Sequence, residues 1–448
     1  MQQTRGRFSS RIGFVLAAAG SAVGLGNIWG FPTQAASNGG AAFLLVYLAL
    51  AFCLAYPVLM TELVIGRYAR GNPITALTAV SSNALSRFMA PIIGGFGIVV
   101  ASLILSFYCI VGGWMMSHFL AELFGLLGMV EIAAWLETFS LPRSLFFTTL
   151  FMLLTIRIIS QGVESGIERW STRLMPLLLT MLVLLTLYVL TMDGAMEGLR
   201  VYLIPDFSRA LSPSLIIKAL GSAFFSLSLG VGTMLIYGSY IDDSESLPKL
   251  GTQVTIIDIS IAVLAGFLIL PAMYVALHNG VEIFSDNGSL ISEDTLIFTV
   301  LPALFDKIGL AGGVVGTFFF LLMSIAALTS SISMLEVPVA TAVEKSSLQR
   351  GVASYAVGGA ILLISITIIM NFEQLFGATI AFTTRYSQPL LGMLICIYVA
   401  WVWHRGEVLQ QLQKGSPHIE ASAFWRIWPA YIKYVCPLVI LIIFVQSF

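Results

Sequence analysis

An apolar stretch near the amino terminus is interrupted by residues that could offer backbone groups to a ligand. The stretch covers residues 12 to about 37, and its middle, GSAVGLGNIWGFP, contains Gly20, Gly24, Gly26 and Asn27. Each glycine weakens a helix by about 1 kcal/mol relative to alanine. Unwound backbone at membrane depth is tolerated where it is buried in protein or lines a cavity. This pattern alone fits two interpretations equally: a broken helix that binds a ligand, or a seam of small residues that packs helices together.

A second apolar stretch is interrupted in the same way. Residues 220–240 contain Ser226, Ser228, Gly230 and Gly232 near their centre. Two breaks of one kind favour the broken-helix interpretation, in which half-helix amino termini face an anionic group and unwound carbonyls face a cation.

The composition of the chain places both stretches in a membrane. Of 448 residues, 58% are hydrophobic and only 10% are charged, whereas a soluble domain has about 25% charged residues. The net charge of −1 argues against a nucleic-acid partner. The four cysteines lie inside apolar runs and the four histidines are scattered, so we expect no disulfide and no metal cluster. The span that follows the basic amino terminus is too long, and lacks a small-residue cleavage site, to be a removable signal peptide.

Eleven stretches are long and apolar enough to cross a bilayer, which takes about 20 residues. They are residues 12–37, 41–66, 90–124, 144–160, 172–191, 214–240, 254–277, 311–343, 352–370, 374–403 and 428–446. The longer connections between them are residues 125–143, 192–213, 278–310 and 404–427.

The basic residues predict how these spans are oriented. With the amino terminus inside, fifteen lysines and arginines fall in inner segments and five in outer ones. The excess of positive charge marks the cytoplasmic side, so we expect an inner amino terminus and, after eleven spans, an outer carboxyl terminus. The expected location is the inner membrane of a bacterial cell.

Spans one to five then start inside, spans six to ten start outside, and each set opens with an interrupted span. This is typical of an inverted-repeat transporter with its site at the bilayer midplane. The expected order is an N-terminal segment (1–11), a first repeat (12–191), an outer loop (192–213), a second repeat (214–403), an inner loop (404–427) and a last span (428–448). Within 278–310 we expect a helical hairpin over an outer cavity; a solvated loop with an interfacial helix is nearly as good an interpretation.

The motifs GSAVGLGNIWGFP, NGGAAFLLVY, PVLMTELVIGRY, FFSLSLGVG and ALTSSIS follow one another in this order. In them the chain resembles the neurotransmitter:sodium symporter family with the LeuT-type fold, in its shorter prokaryotic branch. The likeness runs from about residue 5 to residue 403. It implies an all-α polytopic membrane protein, built as a 5+5 inverted repeat with broken helices 1 and 6 and an eleventh transmembrane helix.

The resemblance also implies an amino-acid substrate site at the first break. Its carboxylate would meet backbone amides there and the hydroxyl of Tyr108, and its ammonium would meet carbonyls near Ala22 and Phe225. The implied substrate residues are Ala22, Gly24, Leu25, Gly26, Ile104, Tyr108, Phe225, Ser226, Ser228, Val231, Ser330 and Met334. The side-chain pocket among them contains no acidic or basic residue, which favours a neutral, hydrophobic substrate. For Ile104 and Met334 taken alone, core packing is the better interpretation.

Two sodium sites are implied by the same resemblance. The first consists of Ala22, Asn27, Ser226 and Asp258, completed by the substrate carboxylate; the second consists of Gly20, Val23, Ala326, Thr329 and Ser330. Both offer oxygen atoms, which hard cations prefer. In an isolated span, hydroxyls such as those of Thr329 and Ser330 more often bond their own helix backbone.

Charged residues at the ends of the pathway are the next candidates. Glu62 lies well inside the second span, where a carboxylate is a functional hypothesis by default, and the resemblance has it support the broken sixth span. The implied inner gate pairs Arg5 with Glu344, near Ser239 and Tyr240.

The outer end of the pathway departs from the family pattern. The usual outer charge pair is missing, because Gly30 and Gln374 stand at its positions, and the lid of Tyr108 and Phe225 remains. Arg385 is unusual inside the tenth span, where it needs a partner or water. The sequence does not name that partner, and Glu62 and Glu336 are the carboxylates to check first.

The residues at an implied chloride position predict that no chloride is needed. Tyr47 and Ser226 are present, but Ser222 and Ala262 replace a glutamine and a serine of the chloride-dependent relatives. Asp258 stands where many relatives have asparagine and can supply the missing negative charge. The alternative is that Asp258 only hydrogen-bonds within the bundle.

The leading hypothesis is therefore a symporter, not an enzyme, that couples two Na+ ions to an amino acid by alternating access. Its partners are the substrate and the bilayer, and we expect a monomer or weak homodimer. A sodium-independent or proton-coupled exchanger with the same fold is the nearest rival. A channel would need a ring of pore-lining groups, and an enzyme would need motifs that the spans lack.

Overall fold

The computed structural model describes residues 6–205, 212–283, 296–346 and 348–446, and within these ranges it is helical without β-strands. The first half contains helices Arg11–Ala22, Gly26–Ser37, Ala41–Ala69, Pro73–Ala79, Ala84–Leu126, Val130–Glu137, Leu141–Ile159, Val163–Val189 and Ala195–Leu203. The second contains Pro213–Ser226, Thr233–Gly238, Leu247–His278, Leu296–Lys307, Leu310–Ser346, Arg350–Met370, Phe372–Val402, Arg405–Lys414 and Ala423–Val445.

Helices occupy all eleven stretches predicted to cross the membrane. Among the described residues, eight helices are long and apolar enough to span it singly, and two bent pairs, Arg11–Ala22 with Gly26–Ser37 and Phe372–Val402 with Arg405–Lys414, could each add one. The sixth stretch is two shorter helices, Pro213–Ser226 and Thr233–Gly238. The all-α polytopic architecture is thus confirmed, while the inverted symmetry of its halves stays a prediction.

Several connections that hydropathy left as loops contain helices. Val130–Glu137, Ala195–Leu203 and Arg405–Lys414 lie in the predicted connections 125–143, 192–213 and 404–427. Their 8 to 10 residues are too short for a search tuned to membrane spans to detect. In 278–310, the structure has the helix Leu296–Lys307, whereas residues 284–295, the other part of the expected hairpin, lie outside the described residues.

The first span breaks where its glycines are. The helix ends at Ala22, Val23 adopts an extended conformation with φ −76° and ψ 97°, and the chain resumes helical geometry at Gly26 in a π-type turn. The two halves are bent by 53° from each other. The break therefore frees carbonyls at the end of one half-helix and amides at the start of the next.

The second break depends on left-handed backbone. Ser228, Gly230 and Gly232 have φ of 51°, 77° and 79° between the two half-helices. Glycine tolerates this conformation without steric cost, and a Cβ on Gly230 would also collide with the carbonyl of Gln388. These glycines thus allow both the turn and the close packing of the tenth span.

Glycines also let the second span approach the sixth. A Cβ on Gly66 would overlap the carbonyl of Leu235, and a Cβ on Gly238 would come within 2.8 Å of the carbonyl of Leu63. Such small residues allow membrane helices to pack backbone against backbone. The helix that carries Glu62 is thereby held directly against the second break.

The contact at Gly66 gives a stability prediction. Gly66→Ala forces the two helices apart, and overpacking of this kind costs about 1–3 kcal/mol, so the thermal unfolding midpoint in detergent should fall by several degrees. Gly95→Ala is the matched control, because a Cβ there meets no atom within 4 Å. An unchanged midpoint for Gly66→Ala would contradict this packing.

Candidate functional site

The first break is enclosed by side chains from three other helices. The N–H of Leu25 donates to the hydroxyl oxygen of Tyr108 at 2.8 Å. A Cβ on Gly24 would collide with the hydroxyls of Ser330 and Tyr108, and one on Gly26 would lie 2.7 Å from the ring of Phe225. The structure thus brings Tyr108, Ser330 and Phe225, three of the predicted substrate residues, around backbone that only glycine can provide at this distance.

The two breaks are also linked directly. The hydroxyl of Ser228 donates to the carbonyl of Ser21 at 2.9 Å, so a side chain in the second break satisfies backbone freed by the first. Ile104 and Met334 lie about one helical turn from Tyr108 and Ser330, respectively, and Val231 lies in the second break; they are buried, with 1%, 5% and 1% exposure. Their burial fits pocket lining and core packing alike.

Three of the residues predicted for the first sodium site form one buried cluster. The Asn27 Nδ2 donates to Asp258 Oδ1 at 2.7 Å and to Ser226 Oγ at 2.9 Å, and Ser226 Oγ lies 2.7 Å from Asp258 Oδ2. The hydroxyl of Tyr47 lies 3.2 Å from Ser226 Oγ. All four side chains are at most 2% exposed.

The charge of this cluster is unbalanced. Asp258 forms no ion pair with a basic residue within the described ranges. A buried carboxylate is costly without compensation, and carboxylate, amide and hydroxyl oxygens are ligands that a hard cation accepts. The donor set therefore suits a monovalent or divalent cation of the alkali or alkaline-earth type.

Residues predicted for the second sodium site meet on the other side of the first break. Ser330 Oγ lies 3.3 Å from the carbonyl oxygen of Gly20 and 3.4 Å from that of Val23. The hydroxyl of Thr329 lies 3.1 Å from the carbonyls of Ala326 and Ile325 in its own helix. In this conformation Thr329 makes the intrahelical bond that its sequence position also allowed, and Ser330 reaches across to the break.

Glu62 satisfies the backbone of the second break. Its carboxylate is fully buried and accepts from the N–H of Gly230 at 2.7 Å and from the N–H of Leu235 at 3.3 Å. Leu235 lies in the first turn of the half-helix Thr233–Gly238, where N–H groups have no intrahelical acceptor. Glu62 thus replaces the missing acceptors.

On the side of the predicted inner gate, the structure shows a cluster that the sequence did not reveal. The Tyr240 hydroxyl donates to Glu336 at 2.5 Å, and the Arg350 guanidinium pairs with the same carboxylate. Glu344 accepts from the N–H of Asn72 at 2.8 Å. Arg5 lies outside the described residues, so the expected pair of Arg5 with Glu344 stays a prediction.

A cavity of about 610 Å³ leads to the lid of Tyr108 and Phe225, whose ring centroids are 6.2 Å apart. Trp29, Gly30 and Arg385 line it. The carboxylates suggested as partners of Arg385 bind elsewhere: Glu62 accepts from backbone and Glu336 pairs with Arg350. Both carboxylates are thus engaged in other contacts, and Arg385 lines this cavity.

Comparison with known proteins identifies the family. Residues 5–138 and 129–448 match the model of the sodium:neurotransmitter symporter family. The chain belongs to the sodium:neurotransmitter symporter family. The sodium-dependent transporter YhdH of Bacillus subtilis is 34% identical over 98% of this chain and 97% of its own. A sodium-dependent transporter of Haemophilus influenzae is 33% identical over 99% and 98%, respectively.

The structure agrees with that assignment. The crystal structure of MhsT in complex with L-phenylalanine matches it with a TM-score of 0.85, and the two sequences are 34% identical. The match covers 99% of this chain and 100% of the MhsT chain. The expected family and its LeuT-type fold are thereby confirmed. As a member, the chain is a membrane transporter of a sodium-dependent family, and the relatives named here are transporters rather than enzymes.

The contacts of Glu62 give a second stability prediction. Glu62→Gln has one acceptor oxygen for two N–H groups, so one buried donor loses its partner, at a cost of about 1–3 kcal/mol. The thermal unfolding midpoint should fall by several degrees, while Glu131→Gln on an exposed helix leaves it unchanged. Equal midpoints for both variants would argue against the supporting role of Glu62.

Proposed function

We propose that this transporter couples sodium to the uptake of a neutral amino acid, hydrophobic or aromatic, by alternating access. The observation that carries the proposal is the buried Asp258, held with Asn27 and Ser226 beside the freed backbone of the first break and without a basic partner in the described structure. A buried carboxylate without a basic partner, next to the amides and carbonyls that the break frees, fits the binding of a cation together with a zwitterionic amino acid.

The substrate is oriented by its two charged groups. Its carboxylate binds the amides that follow Gly24 and the hydroxyl of Tyr108, and its ammonium binds carbonyls at Ala22 and Phe225. The predicted side-chain pocket carries no charge, so that a charged side chain would be left unpaired there. MhsT, the structural relative, binds L-phenylalanine, which supports an apolar substrate for this chain.

Two sodium ions occupy the sites named above. The first is bound by Ala22, Asn27, Ser226, Asp258 and the substrate carboxylate, and the second by Gly20, Val23, Ala326, Thr329 and Ser330. In the second site, the Ser330 hydroxyl already faces the carbonyls of Gly20 and Val23. An ion there would tie the first span to the eighth.

A proton is the rival coupling ion. A buried carboxylate such as Asp258 can be neutralised by a proton as well as by a metal cation, which fits a proton-coupled or sodium-independent exchanger. The proposed orientation is an inner amino terminus and an outer carboxyl terminus in a bacterial inner membrane, as the basic residues predict, and the proposed state is a monomer or weak homodimer.

Sodium and substrate should bind cooperatively, because the substrate carboxylate is a ligand of the first ion and coupling between two ligands is reciprocal. In a thermal-shift screen of twenty amino acids, a hydrophobic member such as L-phenylalanine should raise the unfolding midpoint of the purified transporter in sodium. Its affinity should fall at least tenfold in potassium. Equal affinity in both salts would refute the shared site and favour the exchanger.

The same cluster bears on chloride. Two sodium ions and a zwitterion leave excess positive charge in a medium of low dielectric, where it is costly. Asp258 balances one positive charge as a direct ligand, and Ser222 and Ala262 stand at positions that would otherwise help to hold an anion. Transport is therefore independent of chloride.

Replacing chloride with gluconate should leave sodium-driven uptake within twofold of its original rate. Asp258→Asn removes the balancing charge and should weaken sodium binding at least tenfold. A large loss of uptake by the unmodified protein in gluconate would exclude this assignment of Asp258.

A further inference from the structure

The loop of residues 239–246, here called the 6–7 loop, connects the half-helix Thr233–Gly238 to the helix of Asp258. Its carboxylates face basic side chains from other segments. Asp242 lies 3.8 Å from Arg7, and Asp243 lies 2.8 Å from Arg70 and 3.1 Å from Lys414. Hydrogen bonds from the amide and hydroxyl of Ser244 hold the pKa of Asp242 below its usual value. These pairs are exposed, so each contributes little.

One buried residue joins this loop to a more distant segment. Arg67, with 1% exposure, donates from Nη1 to the carbonyl of Glu245 at 2.7 Å and from Nη2 to the carbonyl of Gln411. Gln411 lies in the helix Arg405–Lys414, which follows the tenth span after a bend of 105°. The planar guanidinium presents two separate Nη groups, one to each carbonyl. A lysine has only one nitrogen, so it cannot replace both bonds in this geometry.

Direct packing reinforces the bridge. The hydroxyls of Ser246 and Ser416 lie 2.6 Å apart, and a Cβ on Gly415 would collide with the carbonyl of Glu245. The end of the helix Arg405–Lys414 therefore rests on the backbone of the 6–7 loop. Four independent contacts hold the two segments together: the Arg67 bridge, the serine pair, the Gly415 packing and the pair of Lys414 with Asp243.

Not every hydrogen-bonding group in this contact has a partner. The Arg67 Nε and the Gln411 Oε1 are buried and have no hydrogen-bond partner among the described residues. An unpaired donor and acceptor offset part of what the bridge contributes. Such a balance suits a contact that must release during a working cycle.

The position of Arg67 relates the bridge to the site. Arg67 lies five positions after Glu62 on the same helix, about 7.5 Å along the axis, and Glu62 binds the backbone of the second break. A single helix thus holds the site-bearing sixth span at two levels. Movement of the half-helix Thr233–Gly238 away from its inner packing would pull on the 6–7 loop and hence on the bridge.

We propose that the helix Arg405–Lys414 is a latch on the 6–7 loop, and that Arg67 is the positioning residue whose two hydrogen bonds keep the latch, and with it the inner pathway, closed. The inference rests on the alternating-access mechanism and orientation proposed above. In each cycle the bridge opens before the site becomes accessible from the side of the amino terminus, and closing it restores the outward-accessible form.

Two cysteine reporters measure the latch without any knowledge of the substrate. Gln34→Cys lies in the outer cavity, and Ser333→Cys lies one turn beyond Ser330 towards Tyr240 and Glu336, with 0% exposure. Each is placed in a Cys53→Ala background, because Cys53 is the exposed one of the four native cysteines. The rate of reaction with a soluble maleimide is then measured on the purified transporter in sodium.

Arg67→Lys keeps the positive charge but loses the double bridge. It should raise the reaction rate at Ser333→Cys about tenfold or more and lower that at Gln34→Cys, a population shift towards the inward form. Arg70→Lys is the matched control, because its pair with Asp243 is exposed, and it should leave both rates within twofold. An unchanged rate at Ser333→Cys in Arg67→Lys overturns the latch. An equal rise in Arg70→Lys also overturns it, since loss of an exposed guanidinium contact with the 6–7 loop would then have the same effect as loss of the bridge.

A reversible cross-link tests the latch where Arg67→Lys fails to fold. Ser246→Cys with Ser416→Cys places two thiols close enough for a disulfide, judged by the 2.6 Å between the native hydroxyls. Oxidation with copper phenanthroline should lower sodium-driven L-phenylalanine uptake at least tenfold, and dithiothreitol should restore it, while either single cysteine has no effect. Uptake at the original rate in the cross-linked protein overturns the latch. Absence of L-phenylalanine uptake before oxidation contradicts only the proposed substrate, and the labelling rates then decide the latch.

Discussion

The structure depends on the need to satisfy backbone groups that two broken helices expose inside a membrane. In hydrocarbon each unpaired N–H or carbonyl is costly, so every break needs dedicated partners. Glu62 accepts from Gly230 and Leu235, and Tyr108 accepts from Leu25. Ser228 donates to a carbonyl of the other break. The residues around the site thus support the fold first and leave a limited set of backbone groups for a ligand.

Small residues make this arrangement sterically possible. Gly24 and Gly26 leave room for Tyr108, Ser330 and Phe225 at the first break, and Gly66 lets the second span reach the sixth. Asp258 remains as a charge that the described protein does not balance with a base. Satisfied backbone together with an unbalanced carboxylate supports the proposed cation site over a merely polar region of the core.

The sequence predicted the features that leave a local signature. Glycines and serines inside apolar runs located both breaks, and Glu62 stood out because a carboxylate there has no reason in packing. The bridge of Arg67 and the pair of Arg350 with Glu336 could not be predicted in this way. Arg67 and Gln411 are 344 residues apart, so no local pattern links them. Arg350 and Glu336 are only 14 residues apart, but they lie on two successive helices, and a basic residue at the end of a span is already explained by membrane orientation. Short helices such as Ala195–Leu203 were not predicted for a different reason: they are shorter than a membrane span.

The helix that provides Tyr108 has 43 residues. At 1.5 Å per residue it is about 64 Å long, roughly twice the thickness of the hydrocarbon core. Tyr108 lies near its middle, so a rotation of the helix about this point moves the two ends much more than it moves the lid residue. A tilt of about 5° that barely displaces the Tyr108 hydroxyl would carry each end sideways by about 3 Å for this length. Changes too small to resolve at the site would thus be magnified in the segments at its ends, where distance probes can be attached without touching the ligand.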